Sequence, residues 1–330
     1  MFSNMLRTCF AGLLVITGIT ALQIDAVAEE PKGTIKIIIP AGPGGANDLL
    51  ARGIKDVLVS EKLVPNTVTV KNRPGGGGAV AWAAINRHKG DMTYLSTFMP
   101  GILTNDLLGA SPIKYTDMTP IATLVFDNAC YAVNPKDPLI NSAKSLLKAL
   151  KNTPEKIRLG FANAAGNHWH VAFASLADAV GVDIRKIPYT VFGSGGKVRT
   201  ALLGGHINVS SIAFGVVSKF HEAGKLLCSA MATEKRIGGR GANVPTWKEL
   251  GVNLTYAPWR GVLGPGNLTA GQIKYWEDRF RQLTTKPAWI KLAKRKSWNI
   301  NFLGHKETMA MLKSERELYK TTLKKLGLLK

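Results

Sequence analysis

The chain has 330 residues, is 45% hydrophobic and carries a formal net charge of +21, from 43 Lys and Arg against 22 Asp and Glu. That length and apolar content suit two packed cores, and the sequence has no low-complexity stretch that would mark a disordered or fibrous chain. A charge this large fits nucleic acid, an anionic membrane surface or the steering of an anionic ligand, so pattern has to choose among them.

The first residues read as an export signal: Arg7, an apolar run from Phe10 to Leu22 too short to span a bilayer, and a small-x-small site at Ala26-Val27-Ala28. Cleavage near Ala28 would release a periplasmic chain. No later segment is apolar for long enough to cross a membrane. Cys9 falls inside the signal, which leaves Cys130 and Cys228 either as a disulfide or as two buried thiols.

A β-branched strand, Ile35–Pro40, runs into the glycine-rich turn Ala41-Gly42-Pro43-Gly44-Gly45, and a helix is expected to open at Asn47 or Asp48 and reach about Glu61. Asp48 and Arg52 share its face. The strand Thr67–Lys71 meets a second such turn, Asn72-Arg73-Pro74-Gly75-Gly76-Gly77-Gly78, then a helix to about Arg87 and the strand Met92–Ser96. Strand–helix alternation predicts a parallel sheet, and ligands bind such sheets at the carboxyl ends of their strands. Backbone N–H groups of a glycine turn, together with the positive end of a helix dipole, make a seat for a small anion.

Further on, Ile121–Val133 reads as a strand leaving the first domain. The expected succession is then helix Ser142–Leu150, strand Arg158–Ala162, a helix from Asn167 or His168 to Ala179, strand Ile187–Tyr189, a turn at Gly193-Ser194-Gly195-Gly196 and helix Lys197–Leu203. Strand Ile207–Ile212, a short helix from Ser218 to Ala223, strand Leu226–Ala230, a short helix opened by Val244-Pro245-Thr246 and a returning strand Tyr256–Leu263 follow. Helices at about Thr269–Leu283 and Lys306–Leu326 close the chain. Residues 286–330 hold twelve Lys or Arg against three Glu, and their interleaved Leu and Met residues make this basic tail a solvated helical face.

Other chemistry has thin support. His168 and His170 do not share a helical face and have no Cys, Asp or Glu close by in sequence, which argues against a metal. Ser194 lacks the glycine two residues before it that a nucleophile elbow needs, and neither glycine turn fits a nucleotide-binding pattern. Six of the seven tryptophans read as core; Trp169, at the mouth of its helix, is the exception.

Taken in order, "IIIPAGPGGANDLLAR", "VKNRPGGGGAV", "YTDMTPIATL", "IPYTVFGSGGKVRTALLGGHINV", "HEAGKLLCSAMATEKR", "NVPTWKELG" and "PWRGVLGP" resemble the substrate-binding proteins of tripartite tricarboxylate transporters, also called Bug proteins. The resemblance covers essentially the whole mature chain. It implies a two-lobed α/β periplasmic binding protein, a Venus flytrap with a mostly parallel sheet in each lobe. Residues 29–128 plus 257–330 would form lobe 1 and residues 129–256 lobe 2.

The same resemblance implies a monomer without cofactor, metal or enzymatic activity that binds no nucleic acid and hands a small carboxylate to membrane subunits. The competing readings are an exported interaction or sensor protein and, behind it, a hydrolase. Carried over by position, the ligand would meet Ala41, Gly42, Gly44, Gly45, Asn47 and Asp48 in the first loop, Gly75, Gly76 and Gly77 in the second, and Ser96 and Thr97 on the third strand. From lobe 2 it would meet Asn163, Gly166, Asn167, His168, Tyr189, Phe192, Gly193, Ser194 and Asn208. The chain departs from the pattern at Asn47, at Ala162–Asn167, at Asn208 where an acid is usual, and in extra residues around Val191 and Phe192. A less acidic cleft, with an apolar surface near Phe192, is the expected consequence.

Overall fold

A computed structural model describes residues 29–329, so the export-signal features lie outside the described residues. Two sheets organise the chain. The first begins with β1 (Ile35–Ile39), whose alternate residues Ile35, Ile37 and Ile39 are buried, then α1 (Ala46–Ser60), β2 (Val68–Asn72), α2 (Ala79–Asn86), β3 (Tyr94–Phe98), α3 (Gly101–Leu107) and β4 (Thr119–Phe126). The second contains β5 (Ala129–Val133), α4 (Ala143–Asn152), β6 (Leu159–Ala162), α5 (His168–Ala179), β7 (Tyr189–Phe192), α6 (Gly195–Leu203), β8 (Val209–Ala213), α7 (Phe214–Glu222) and β9 (Leu227–Met231). The chain then returns through β10 (Trp259–Gly264), α8 (Ala270–Thr285), α9 (Pro287–Lys296), β11 (Asn299–Leu303) and α10 (His305–Lys325).

Strand order is β11-β4-β10-β3-β1-β2 in the six-stranded sheet and β7-β6-β8-β5-β9 in the five-stranded one. Both sheets are mixed rather than mostly parallel. β1 pairs in parallel with β2 and β3, and β6 with β7 and β8, whereas every pairing of β4, β5 and β10 is antiparallel. The antiparallel strands are the ones that cross between the lobes: β4 passes to β5 through only Asp127 and Asn128, and β10 brings the chain back. The expected single strand Ile121–Val133 is therefore two strands, broken at that crossing.

Several boundaries differ from expectation for identifiable reasons. α1 begins at Ala46 with Gly45 as its cap, because the Asn47 side chain is committed elsewhere and Asp48 reaches back to the Gly44 N–H at 3.0 Å. Phe214 extends α7 four residues upstream of the expected start. Val244-Pro245-Thr246 opens no helix: Thr246 makes a parallel bridge to Met231, Trp247 is buried, and Gly251 at φ +80° turns the chain away after one turn. Helix α9 and strand β11 were not expected. Their basic, polar-looking sequence hides Trp289, Ala293 and Trp298, all buried.

A disulfide joins Cys130 on β5 to Cys228 on the neighbouring β9, with Cα atoms 5.7 Å apart. It resolves the alternative that the sequence left open. Among the described residues no helix is long and apolar enough to cross a membrane.

Candidate functional site

The parallel strands of both sheets end at one inter-lobe cleft. From the six-stranded side come the two glycine loops. Gly75 to Gly78 carry φ of +137°, +52°, +62° and +113°, four successive values that side chains with a Cβ rarely adopt. The Asn105 amide donates to the Gly76 carbonyl at 2.8 Å and pins this loop to α3. The first loop is held by Asp48, which accepts from Gly44 N–H, from Arg52 at 3.0 Å and from the Asn72 amide at 2.9 Å. Burial is the largest single influence on the Asp48 carboxyl and pushes it up, but these bonds and the Arg52 charge together outweigh it and hold the carboxyl below its ordinary range. Asp48 is thus a loop anchor with its oxygens already engaged.

Lobe 2 supplies the N-terminus of α5. Asn167 caps it, accepting from Trp169 N–H at 2.9 Å and His170 N–H at 3.1 Å while its amide donates to the Ala162 carbonyl. Asn163 sits just beyond β6 with φ +82°, and Gly166 with φ +72° lies against Leu108 of lobe 1. Ser194 caps α6 and donates to the Pro43 carbonyl across the cleft at 3.1 Å. Gly42 N–H donates to the Gly193 carbonyl at 3.0 Å. The lobes therefore touch backbone to backbone, loop on loop. Gly44 and Gly45 permit that approach: Gly196 and Gly195 stand where a Cβ would make contact.

Two spaces remain along this contact. An inner cavity of about 20 Å³ is bordered by Ala41, Gly45, Asn47, Asn163, Trp169 and Arg260 among others. An outer one of about 360 Å³ is bordered by Pro40, Pro74, Gly75, Gly77, Gly78, Asn163, Val191, Phe192 and Gly193. Neither is lined by a carboxylate. Hollows of 530 to 600 Å³ elsewhere lie on the outer surface. Strand-end geometry, not size, singles out the cleft.

Arg260, on β10, is the residue sequence reasoning missed. It is only 1% exposed, pairs through Nε with Asp127 at the lobe crossing, and donates through Nη1 to Asn47 Oδ1 at 3.0 Å. Burial pushes the Asp127 carboxyl up and the guanidinium opposes that shift. The only sequence signal was an arginine inside the otherwise apolar segment Pro258–Leu263. His168, fully buried beside Trp169, has no hydrogen-bond partner at either ring nitrogen and is held neutral by burial and by Arg260. His170 accepts from Gly166 N–H at Nδ1, stacks on Phe161 and is pushed down to about 4 by burial. Among the described residues no group of three His, Cys, Asp or Glu gathers as metal ligands.

Ser96 donates to the Ile38 carbonyl at 2.7 Å, while the Thr97 hydroxyl is buried without a partner. Two residues proposed from sequence lie elsewhere. Asn208 precedes β8, bonds Arg158 at the amino end of the parallel strands, and stands about 15 Å of strand from the cleft end at Ala213. Tyr189 opens β7 at that same end, 47% exposed, packed on Phe161 and His170. Both were expected at the ligand; the structure puts Asn208 at the strand ends opposite the cleft loops, and Tyr189 at the start of β7 with its ring against His170 of α5. Phe192, by contrast, ends β7 and reaches the cleft, with Gly160 leaving room for its ring.

Residues 50–328 match the sequence model of the tripartite tricarboxylate transporter family receptor, TctC. The chain belongs to that family. BugT of Bordetella pertussis is 28% identical over 259 residues, 77% of each chain. The periplasmic binding protein BugD superposes with a TM-score of 0.82 over 91% of this chain and 99% of that one, at 20% identity. MatC of Rhodopseudomonas palustris, solved with bound malate, gives 0.79 over 89% and 99% at 15% identity. The TctC-family fold is thus a two-lobed solute-binding protein, and the loops, α5 and Arg260 line its inter-lobe cleft.

Proposed function

We propose that this TctC-family protein captures a small carboxylate between its lobes in the periplasm and delivers it to the membrane subunits of a tripartite tricarboxylate-type transporter. The observation that carries the reading is the cleft's construction: two glycine loops and the α5 N-terminus converge on a space with no lining carboxylate and with Arg260 at its inner wall. Backbone N–H groups and a helix N-terminus favour an anion, and each charge-assisted hydrogen bond contributes about 1.5–3 kcal/mol. Three or four such bonds are enough for micromolar binding after the cost of association. The malate bound in the MatC structure belongs to the same chemical class.

Closure of the glycine loops on Gly193–Gly196 would exclude water and shield the cargo. The membrane subunits would then meet a closed form selected by the ligand. Ser194 caps a helix and is bonded to Pro43, which supports a structural role for its hydroxyl.

A thermal-shift panel of mono-, di- and tricarboxylates, aromatic acids, amino acids, phosphate and sulfate tests this. A ligand at a hundred times its Kd should stabilise by about 2.7 kcal/mol, a shift of several degrees. Shifts confined to carboxylates are expected. A response to sulfate or phosphate alone, or to none of the panel, would overturn the reading.

A further inference from the structure

The basic tail is not uniformly a solvated face. At the end of α9, Arg295 and Lys296 meet lobe 2. Gly215, second residue of α7, packs so closely on the Lys296 carbonyl that a Cβ there would collide with it. Arg240 donates to the Arg295 carbonyl at 3.2 Å. Along the same seam Arg199 of α6 donates to the Val216 carbonyl at 3.3 Å, lies over the Phe220 ring, and reaches toward Gly44 of lobe 1. Lys219 is exposed on α7.

Among the described residues, Arg199, Lys219, Arg240, Arg295 and Lys296 thus lie along one seam, where Glu222 is paired to Arg240 at 2.6 Å. Burial pushes the Lys296 ammonium down, and Lys219, Arg295, Arg240 and Arg199 push it further, with no carboxylate among the groups acting on it. Uncompensated like charge of this density opposes the packing that creates it, unless an outside anion offsets it.

We propose that this seam is a docking surface for an acidic protein segment, a run of Asp and Glu on a partner. Arg199, Lys219 and Arg240 come from lobe 2 and Arg295 and Lys296 from lobe 1. Opening the lobes would divide the surface, so a partner bound there senses closure. Arg199 and Lys296 are half-buried, recessed where a partner's side chains can enter and a flat bilayer surface cannot follow. The inference stands whatever cargo the cleft holds.

The test is the affinity of a fluorescent hexaglutamate peptide, read by anisotropy at about 20 and about 150 mM NaCl, where screening lengths differ severalfold. Neutralising Lys219→Gln, Arg240→Gln and Arg295→Gln together should weaken binding by roughly tenfold or more. An equal charge loss on exposed α10 positions, Lys306→Gln, Lys313→Gln and Lys324→Gln, should cost less than about twofold. Melting temperatures of both triple variants establish that each is folded.

Equal losses in the two triples, or no peptide binding by the unmodified protein at low salt, would overturn the proposal. So would phosphatidylglycerol vesicles that depend on the seam when the peptide does not. Closure is tested by Gly42→Cys with Ser194→Cys, positions whose Cβ atoms would stand 3.3 Å apart across the cleft. The oxidised, locked form should bind the peptide at least as tightly as its reduced form, and weaker binding would refute the two-lobe surface.

Discussion

Gly196→Ala separates closure from folding. Gly196 is the second residue of α6, in ordinary helical conformation, and faces the first glycine loop across the cleft. A Cβ there would come within 2.9 Å of the Pro43 carbonyl oxygen and 3.3 Å of the Gly44 Cα. Both are backbone atoms and cannot rotate away, so the lobes must part locally by about half an ångström to restore an ordinary contact near 3.5 Å. That displacement stretches the 3.0 Å bond from Gly42 N–H to Gly193 and the 3.1 Å bond from Ser194 to Pro43. At about 0.5–1.5 kcal/mol each, their loss disfavours the closed arrangement by roughly 1–3 kcal/mol, a 5- to 150-fold change in the closed-to-open ratio.

Within lobe 2 the same substitution removes a flexible residue from a helix, worth about 0.5–1 kcal/mol in favour of the folded state. The melting temperature should therefore hold or rise by a degree or two while closure fails. Inter-lobe distances from paired spin labels, and calorimetric affinity for a carboxylate found by the panel, read the two effects separately. Unchanged distances and affinity in a stably folded variant would refute the contact as the element that seals the cleft.

Two further outcomes follow from buried charge and buried imidazole. Asp127→Asn leaves the Arg260 guanidinium buried and unpaired, which should cost about 3–5 kcal/mol and lower the melting temperature by roughly 6–20 °C. Replacing the pair by Asp127→Leu with Arg260→Met should recover much of that, and a single variant melting within about 2 °C of the parent would contradict the buried pair. His170 binds its proton at about 4 in the folded chain against 6.5 unfolded, so between those values the unfolded state holds more protons. Stability is then complete above pH 6.5 and falls on acidification, at about 1.4 kcal/mol per pH unit from this residue. Denaturant titrations from pH 7 to pH 4.5 should show that slope, reduced by about one proton in His170→Gln; an unaltered slope would exclude His170 as its source.

How much of this was legible in the sequence depends on how local each cause is. Both glycine loops, the helix start at Asn167 and the run of strands and helices around them rest on residues within a few positions of one another, and the fold uses them as read; Ser194, read as part of a turn, caps α6 two residues earlier than expected. The start of α1 was misplaced because Asn47, an ordinary capping residue, serves Arg260, 213 residues away in the chain. α9 and β11 were hidden because a few buried tryptophans, not a regular apolar period, hold them in place. The mixed sheets follow from crossings between lobes, which local alternation does not record.

Asn208 and Tyr189 show a different limit. Position in a motif places a residue along a strand, but only strand direction decides which end meets the ligand. Both residues lie at the amino ends of parallel strands whose carboxyl ends border the cleft, and Asn208 is bonded to the Arg158 backbone there. The cationic groups obey the same rule. Arg260 is one basic residue among 43 in the sequence, yet it alone of the basic residues is almost fully buried among the described residues. Charge counted along the chain says nothing of which cation has lost its water. Burial at the junction of β10 with the first loop makes Arg260 at once the support of Asn47 and the inner wall of the cleft, so the first glycine loop and the strand that joins the lobes share one guanidinium.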